Sequence, residues 1–169
     1  EIMQEEYSDL NLSQAPRIIH SPDARDALRL LRAREFDLVI TMARVGEMDV
    51  KAFGTEAKRV IEGLPVVMLS HNTRELATLS AGGGIDRIFV WTGDSRILLS
   101  ICKLLEDERN VENDVRDGDV QVILLIEDSR RFYSAYLPLL YTQLVNQTTR
   151  LMGEGGNLHE KLLRLRARA

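Results

Sequence analysis

The chain has 169 residues, 44% hydrophobic and 28% charged, a balance that excludes intrinsic disorder and fibrous repeats. Its 22 basic and 26 acidic residues leave a formal net charge of −4, which gives no general attraction to nucleic acid or an anionic membrane surface. No apolar run nears the ~18 residues of a membrane span, lone Cys102 allows no intrachain disulfide, and His20, His71 and His159 are too dispersed to pair as metal ligands.

The opening "EIMQEEYSDL" (1–10) is acidic, unlike a signal peptide, and has no initiator Met; the expectation is a cytoplasmic fragment of a longer protein. Beyond it, short apolar runs alternate with helical patterns, the mark of parallel βα units. "PRIIHS" (16–21) is the first strand candidate. The helix over 21–35 follows, with Ser21 as N-cap, Pro22 at its first position, and Ala24, Ala27, Leu28 and Leu31 on one face. "FDLVITM" (36–42) is the next strand and "MDVKAFGTEAKRVIEG" (48–63) an amphipathic helix that Gly63 stops.

"LPVVMLS" (64–70) is continuously apolar, as a strand with both faces covered must be. A weaker helix over 72–84 ends in three glycines, and "IDRIFVW" (85–91) is a strand. "AGGGID" (81–86) precedes that strand instead of following one, so it reads as a turn and not as a phosphate cradle. The helix over 93–109 presents Ile97, Leu98, Ile101, Leu104 and Leu105 as its stripe.

Composition then shifts. "NVENDVRDGD" (110–119) is polar and acidic and reads as a linker. "VQVILLIEDS" (120–129) is the most apolar strand candidate and ends in an acidic pair. The pattern over 130–152 is a long helix with three of the four tyrosines and Pro138 as a kink. "GEGGN" (153–157) breaks it before a final basic helical piece, whose cations suit a helix C-terminus.

In order and spacing, these segments resemble the receiver domain of bacterial response regulators. "DLVITM…GEMD" (37–49) stands where that family has the strand that delivers its phosphoacceptor Asp and the loop after it. "LPVVMLS" resembles the strand tipped by a hydroxyl residue, here Ser70, and "GIDRIFVW" the strand that ends in Lys-Pro. "VILLIEDS" resembles a first receiver strand, whose acidic pair, here Glu127 and Asp128, holds magnesium. The resemblance implies a flavodoxin-like, doubly wound parallel sheet of five strands. It further extends to the tandem receiver-like amino-terminal region of large bacterial proteins related to phosphoenolpyruvate synthase and pyruvate phosphate dikinase.

The departures from that family bear on chemistry. The acceptor position is Met42 and the Lys position is Trp91, with Ser70 between them in the chain. A thioether cannot attack a phosphoryl donor, and an indole cannot pair with phosphoryl oxygens. Asp49 lies seven residues beyond Met42 and reads as a helix cap. No catalytic residue is therefore expected at the receiver-equivalent positions Met42, Ser70 and Trp91, and the chain is not expected to be an enzyme by itself.

Nothing before residue 16 reads as a first strand, which leaves a slot in the middle of a sheet ordered 2-1-3-4-5. The organisation expected is a degenerate receiver over 1–109 without its own first strand, a linker over 110–119, and the first strand and helix of a second, truncated receiver over 120–169. The expectation for the folded chain is that 120–127 fills the slot beside 16–21 or 36–42, from its own chain or by swapping in a homodimer. That would bring Glu127 and Asp128 near Met42.

The leading functional expectation is a signalling module that recognises a protein partner or sister domains, with no cofactor and with the tyrosine-bearing helix as its contact surface. In the alternative, 120–169 opens a true phosphorelay receiver that binds Mg²⁺ through Glu127 and Asp128 and carries its acceptor Asp beyond residue 169. A flavin-binding reading fails on "EDSRRFYS" (127–134), acidic and then bulky where a phosphate loop is needed. DNA binding lacks a helix-turn-helix pattern and a basic stripe.

Overall fold

The computed structural model describes residues 16–71, 81–118 and 120–154. The expectations for 1–15, most of the 72–84 helix and the final basic piece lie outside the described residues. The described chain divides into two compact units: Pro16–Gly93 with Ser129–Ser134, and Asp94–Asp128 with residues 135–154.

The first unit holds the sheet. Helix α1 (Ala24–Ala33) is capped by Asp23, whose carboxylate accepts from the Asp26 amide at 2.9 Å. Ser21 is not the cap, contrary to the sequence expectation: its hydroxyl donates to the Asp26 carboxylate. Asp23 wins because it stands immediately before the first helical residue, where a side-chain oxygen reaches the exposed amides. Ala24, Leu28 and Leu31 are buried and Ala27 packs beside them, the face the periodicity gave.

Strand β1 (Val39–Met42) leads into a small hairpin of β2 (Arg44–Val45) and β3 (Met48–Asp49), which turns at Gly46 with φ at 69°. Helix α2 (Val50–Val60) begins there, because Asp49 accepts from the amides of Lys51 and Ala52 at 3.0 and 3.1 Å. It ends three residues before Gly63, earlier than expected, and Gly63 serves the turn beyond it at φ 72°. Strands β4 (Val66–Ser70) and β5 (Arg87–Val90) complete a parallel sheet of order β1-β4-β5. Val39 pairs with Val66 and Met42 with Leu69; Met68 pairs with Ile88 and Ser70 with Val90.

Side chains of paired parallel residues share a face, and successive ones alternate. Val66, Met68 and Ile88 therefore meet Leu28, Leu31, Phe53 and Ala57 in one core beneath α1 and α2. On the other face Phe89 stacks on Tyr133, with ring centroids 5.8 Å apart. Asp86 secures the entry to β4: it accepts from the Val66 amide at 2.8 Å and pairs with Lys58 of α2. The glycine turn before β5 is a packing device. A Cβ on Gly54 would lie 2.6 Å from the Gly84 carbonyl oxygen, so α2 rests directly on backbone there.

Helix α3 (Arg96–Gly118) belongs to the second unit. The Asp94 carboxylate accepts from the Arg96 amide and guanidinium, at 3.0 and 2.7 Å, and so ties off its start. The segment read as a linker, 110–119, instead continues this helix through Gly118. A polar acidic composition disfavours burial, but an exposed helix satisfies its own backbone bonds and needs none. The inward face carries Ile97, Leu99, Ser100, Ile101 and Lys103, a face centred nearer Ser100 than the expected stripe. Lys103 is buried to its stem and reaches Glu106 at 2.9 Å.

Helix α4 (Arg130–Glu154) holds Pro138 and runs through Gly153, past the expected break. Tyr141 donates to Asp107 at 2.8 Å.

Two strand expectations are corrected. Segments 16–21 and 120–127 join no ladder among the described residues, so the described parallel sheet has three strands. Residue 120 donates to the Asp114 carbonyl at 3.3 Å, and the chain from there to Ser129 is neither helix nor strand. Apolar content fits a segment for a sheet interior but supplies no neighbour. Among the described residues no strand pairs with the second edge of β1.

Candidate functional site

Parallel strands deliver their carboxyl ends to one edge, where open α/β sheets gather functional groups. Here the register brings the tips of β1, β4 and β5 side by side: Met42, then Ser70 and His71, then Trp91. The Ser70 carbonyl accepts from the Trp91 amide at 2.9 Å, extending the β4–β5 ladder by one residue. His71 meets Trp91 edge to face, with centroids 6.4 Å apart.

Ser70 is 1% exposed, whereas Met42 is 37% exposed. Thr41, buried just before the tip, donates to the Met42 carbonyl at 3.2 Å. The groups presented are thus a thioether, a buried hydroxyl, an imidazole and an indole. Neither Met42 nor Trp91 offers a carboxylate or an ammonium, so these two positions hold no nucleophile for phosphorus and no cation for its oxygens.

The sequence placed Met42, Ser70 and Trp91 at strand tips, and the structure brings these three together. Glu127 and Asp128 belong to the other compact unit. Among the described residues no group of three or more His, Cys, Asp or Glu is placed to hold a metal ion. Two adjacent carboxylates alone leave most of a magnesium ion's six positions to other oxygens.

Two participants escaped the sequence reading. His71 follows Ser70 directly, and only the β4–β5 register sets it against Trp91. Ser134 is 3% exposed and accepts from the Val90 amide at 2.8 Å while donating to the Arg130 carbonyl at 2.6 Å. It pins the last residue of β5 to the first turns of α4. A serine among aromatic residues in "RRFYSAY" (130–136) was the available signal, since a small polar residue on an apolar face needs a partner.

The tyrosine-bearing helix divides its work. Tyr133 packs on the sheet and Tyr141 holds Asp107, while Phe132 and Tyr136 are 51% and 44% exposed. The Cys102 thiol is pushed up to about 11 by burial, which leaves it inert at neutral pH. The Arg96 guanidinium holds the Asp94 carboxyl below the ordinary carboxylate value. No described helix is long and apolar enough to cross a membrane.

No family model and no curated protein matches the sequence. Among solved structures, the chain is similar to a signal receiver domain of an HD domain-containing protein from Pseudomonas fluorescens Pf-5. That likeness has 26% identity, 68% of this chain, 85% of the other and a TM-score of 0.48. A fusion bearing the yeast Spc42 trimeric coiled coil is similar at 14% identity, over 90% of each chain, with a TM-score of 0.46. With both TM-scores under 0.5, neither likeness assigns a function.

Proposed function

We propose that this chain is a receiver-like signalling module of a larger bacterial protein, one that recognises protein partners or sister domains and accepts no phosphoryl group. The carrying observation is the strand-tip trio. Met42 and Trp91 flank Ser70 at the carboxyl edge of a parallel sheet, in the places where the receiver pattern has its acceptor Asp and its Lys. The order of segments along the chain, the β1-β4-β5 order of the sheet and the α1 and α2 cover support the receiver-like reading.

A thioether and an indole favour contact with apolar groups over phosphate. Regulation at this edge then works by packing: a partner's side chains meet Met42 and Trp91 where a phosphoryl group would otherwise sit.

The test is incubation with acetyl phosphate and Mg²⁺, followed by intact-mass measurement. The expected result is an unchanged mass. A stoichiometric, acid-labile gain on this chain would overturn the phosphate-silent reading, and its mapping to Asp49 or another carboxylate would name the acceptor that the strand tips lack.

A further inference from the structure

Strand β1 is bonded on one side only. Val39 donates to the Pro65 carbonyl at 2.9 Å, toward β4. Backbone groups of successive strand residues alternate in direction, so Ile40 and Met42 direct theirs to the other edge. No described strand lies there. Such an edge is a template for another extended chain.

The same chain carries a segment suited to that edge. Val122, Ile123, Leu124, Leu125 and Ile126 form an uninterrupted apolar run with no ladder partner, and they are 65, 67, 82, 37 and 84% exposed. By composition this is a strand for a sheet interior, covered on both faces. In the chain alone it meets water on both.

We infer that two copies of the chain associate by reciprocal strand exchange, the 120–127 segment of each pairing with the open edge of Val39–Met42 in the other. The donor and the acceptor are present once per chain, so a reciprocal exchange between two copies uses every donor and acceptor and closes with two-fold symmetry.

The area suffices. The exposed parts of the five side chains amount to a little over three whole ones, on the order of 300 Å² per segment. Counted over two segments and the surfaces they cover, this comes to roughly 1,200 Å², the lower bound for a specific dimer, before any backbone pairing is added.

A parallel alignment carries the acidic pair Glu127–Asp128 toward the Met42–Arg44 end, where Arg44 is exposed. The inference names one partner for the recognition role proposed above. It is read by assembly mass and not by phosphoryl transfer, so either proposal can fail without the other.

Complementation tests it. Leu124→Lys/Ile126→Lys disables the donor at side chains already facing water, so the chain should fold unchanged by circular dichroism. Ile40→Pro disables the acceptor by removing an amide on the open side, where proline is tolerated in edge strands. By light scattering at micromolar concentration, the unmodified chain should run at twice the chain mass and each variant at one chain mass. An equimolar mixture of the variants keeps one intact donor and one intact acceptor, about half of the interface, so its mass should rise above that of either variant alone as concentration increases.

A monomeric unmodified chain overturns the proposal. If its 120–127 amides are then protected from hydrogen exchange, the strand closes on its own sheet; if unprotected, it awaits another protein. A donor variant that remains dimeric equally overturns it, by placing the contact elsewhere. A mixture whose mass equals that of the separate variants at every concentration would overturn strand exchange even if both variants are monomeric.

Discussion

Two segments of nearly the same composition meet opposite fates in this chain. "VVMLS" (66–70) is strand β4, buried at every residue between β1 and β5. "VILLI" (122–126) is as apolar, yet four of its five side chains are more than half exposed. The difference is not in propensity, since both are rich in residues that suit strands. It lies in neighbours. Phe53 and Ala57 of α2 pack against Val66 and Met68 on one face of β4, Tyr133 stacks on Phe89 of the adjoining strand on the other side of the sheet, and a hydrogen-bonded strand flanks each edge. The apolar run at 122–126 has none of these within the described chain. An apolar run thus declares a capacity for burial, and only the arrangement of other elements realises it.

This contrast can be broken most forcefully at its covered end. Phe53→Ala empties a site only 1% exposed and should cost about 3–5 kcal/mol in a urea titration. Leu124→Ala, made on the uncovered run, should leave the midpoint of dilute protein unmoved. A comparable loss for Leu124→Ala in dilute protein would mean that the run is packed within its own chain. A loss that appears only as concentration rises would instead measure the strand exchange.

A smaller effect is expected at the lock between β5 and α4. Ser134→Ala removes the acceptor of the buried Val90 amide and should destabilise by about 1–3 kcal/mol. Hydrogen exchange at Val90 should quicken with it. Unchanged exchange there would show that β5 holds its last residue without the helix.

The smallest expected effect lies outside the sheet, at the start of α3. Asp94 is depressed in the folded chain, chiefly by its bond to Arg96, so its stabilisation is present above the ordinary carboxylate value and fades as pH falls through the depressed one. Asp94→Asn should therefore lower stability near neutral pH by no more than about 1 kcal/mol, because the pair is partly exposed. The gap between variant and parent should close in acid. A gap that persists at low pH would assign the effect to capping geometry instead of charge.

Much of the fold was legible in the residues. Periodicity marked α1 and the face it buries, Asp49 announced the cap of α2, and the uninterrupted apolar run at 64–70 declared a doubly covered strand. The strand-tip trio Met42, Ser70 and Trp91 was also readable, because tip positions follow from where each apolar run stops. His71 and Ser134 were not, since their roles depend on a register between strands and on a helix that arrives from forty-four residues away. The acidic stretch at 110–118 misled because polarity describes solvent exposure, and an exposed helix is as polar as a loop.

By itself, then, the sequence determined the local elements, their parallel βα order and the chemistry at the strand tips. All three rest on nearest-neighbour physics: side-chain period, capping and the reactivity of a side chain. Only the tertiary structure decided that β1 is an edge, that α3 runs on to Gly118, and that 120–127 stands outside the sheet. Those outcomes turn on which backbone groups find partners across long stretches of chain, a competition that no single segment's composition records.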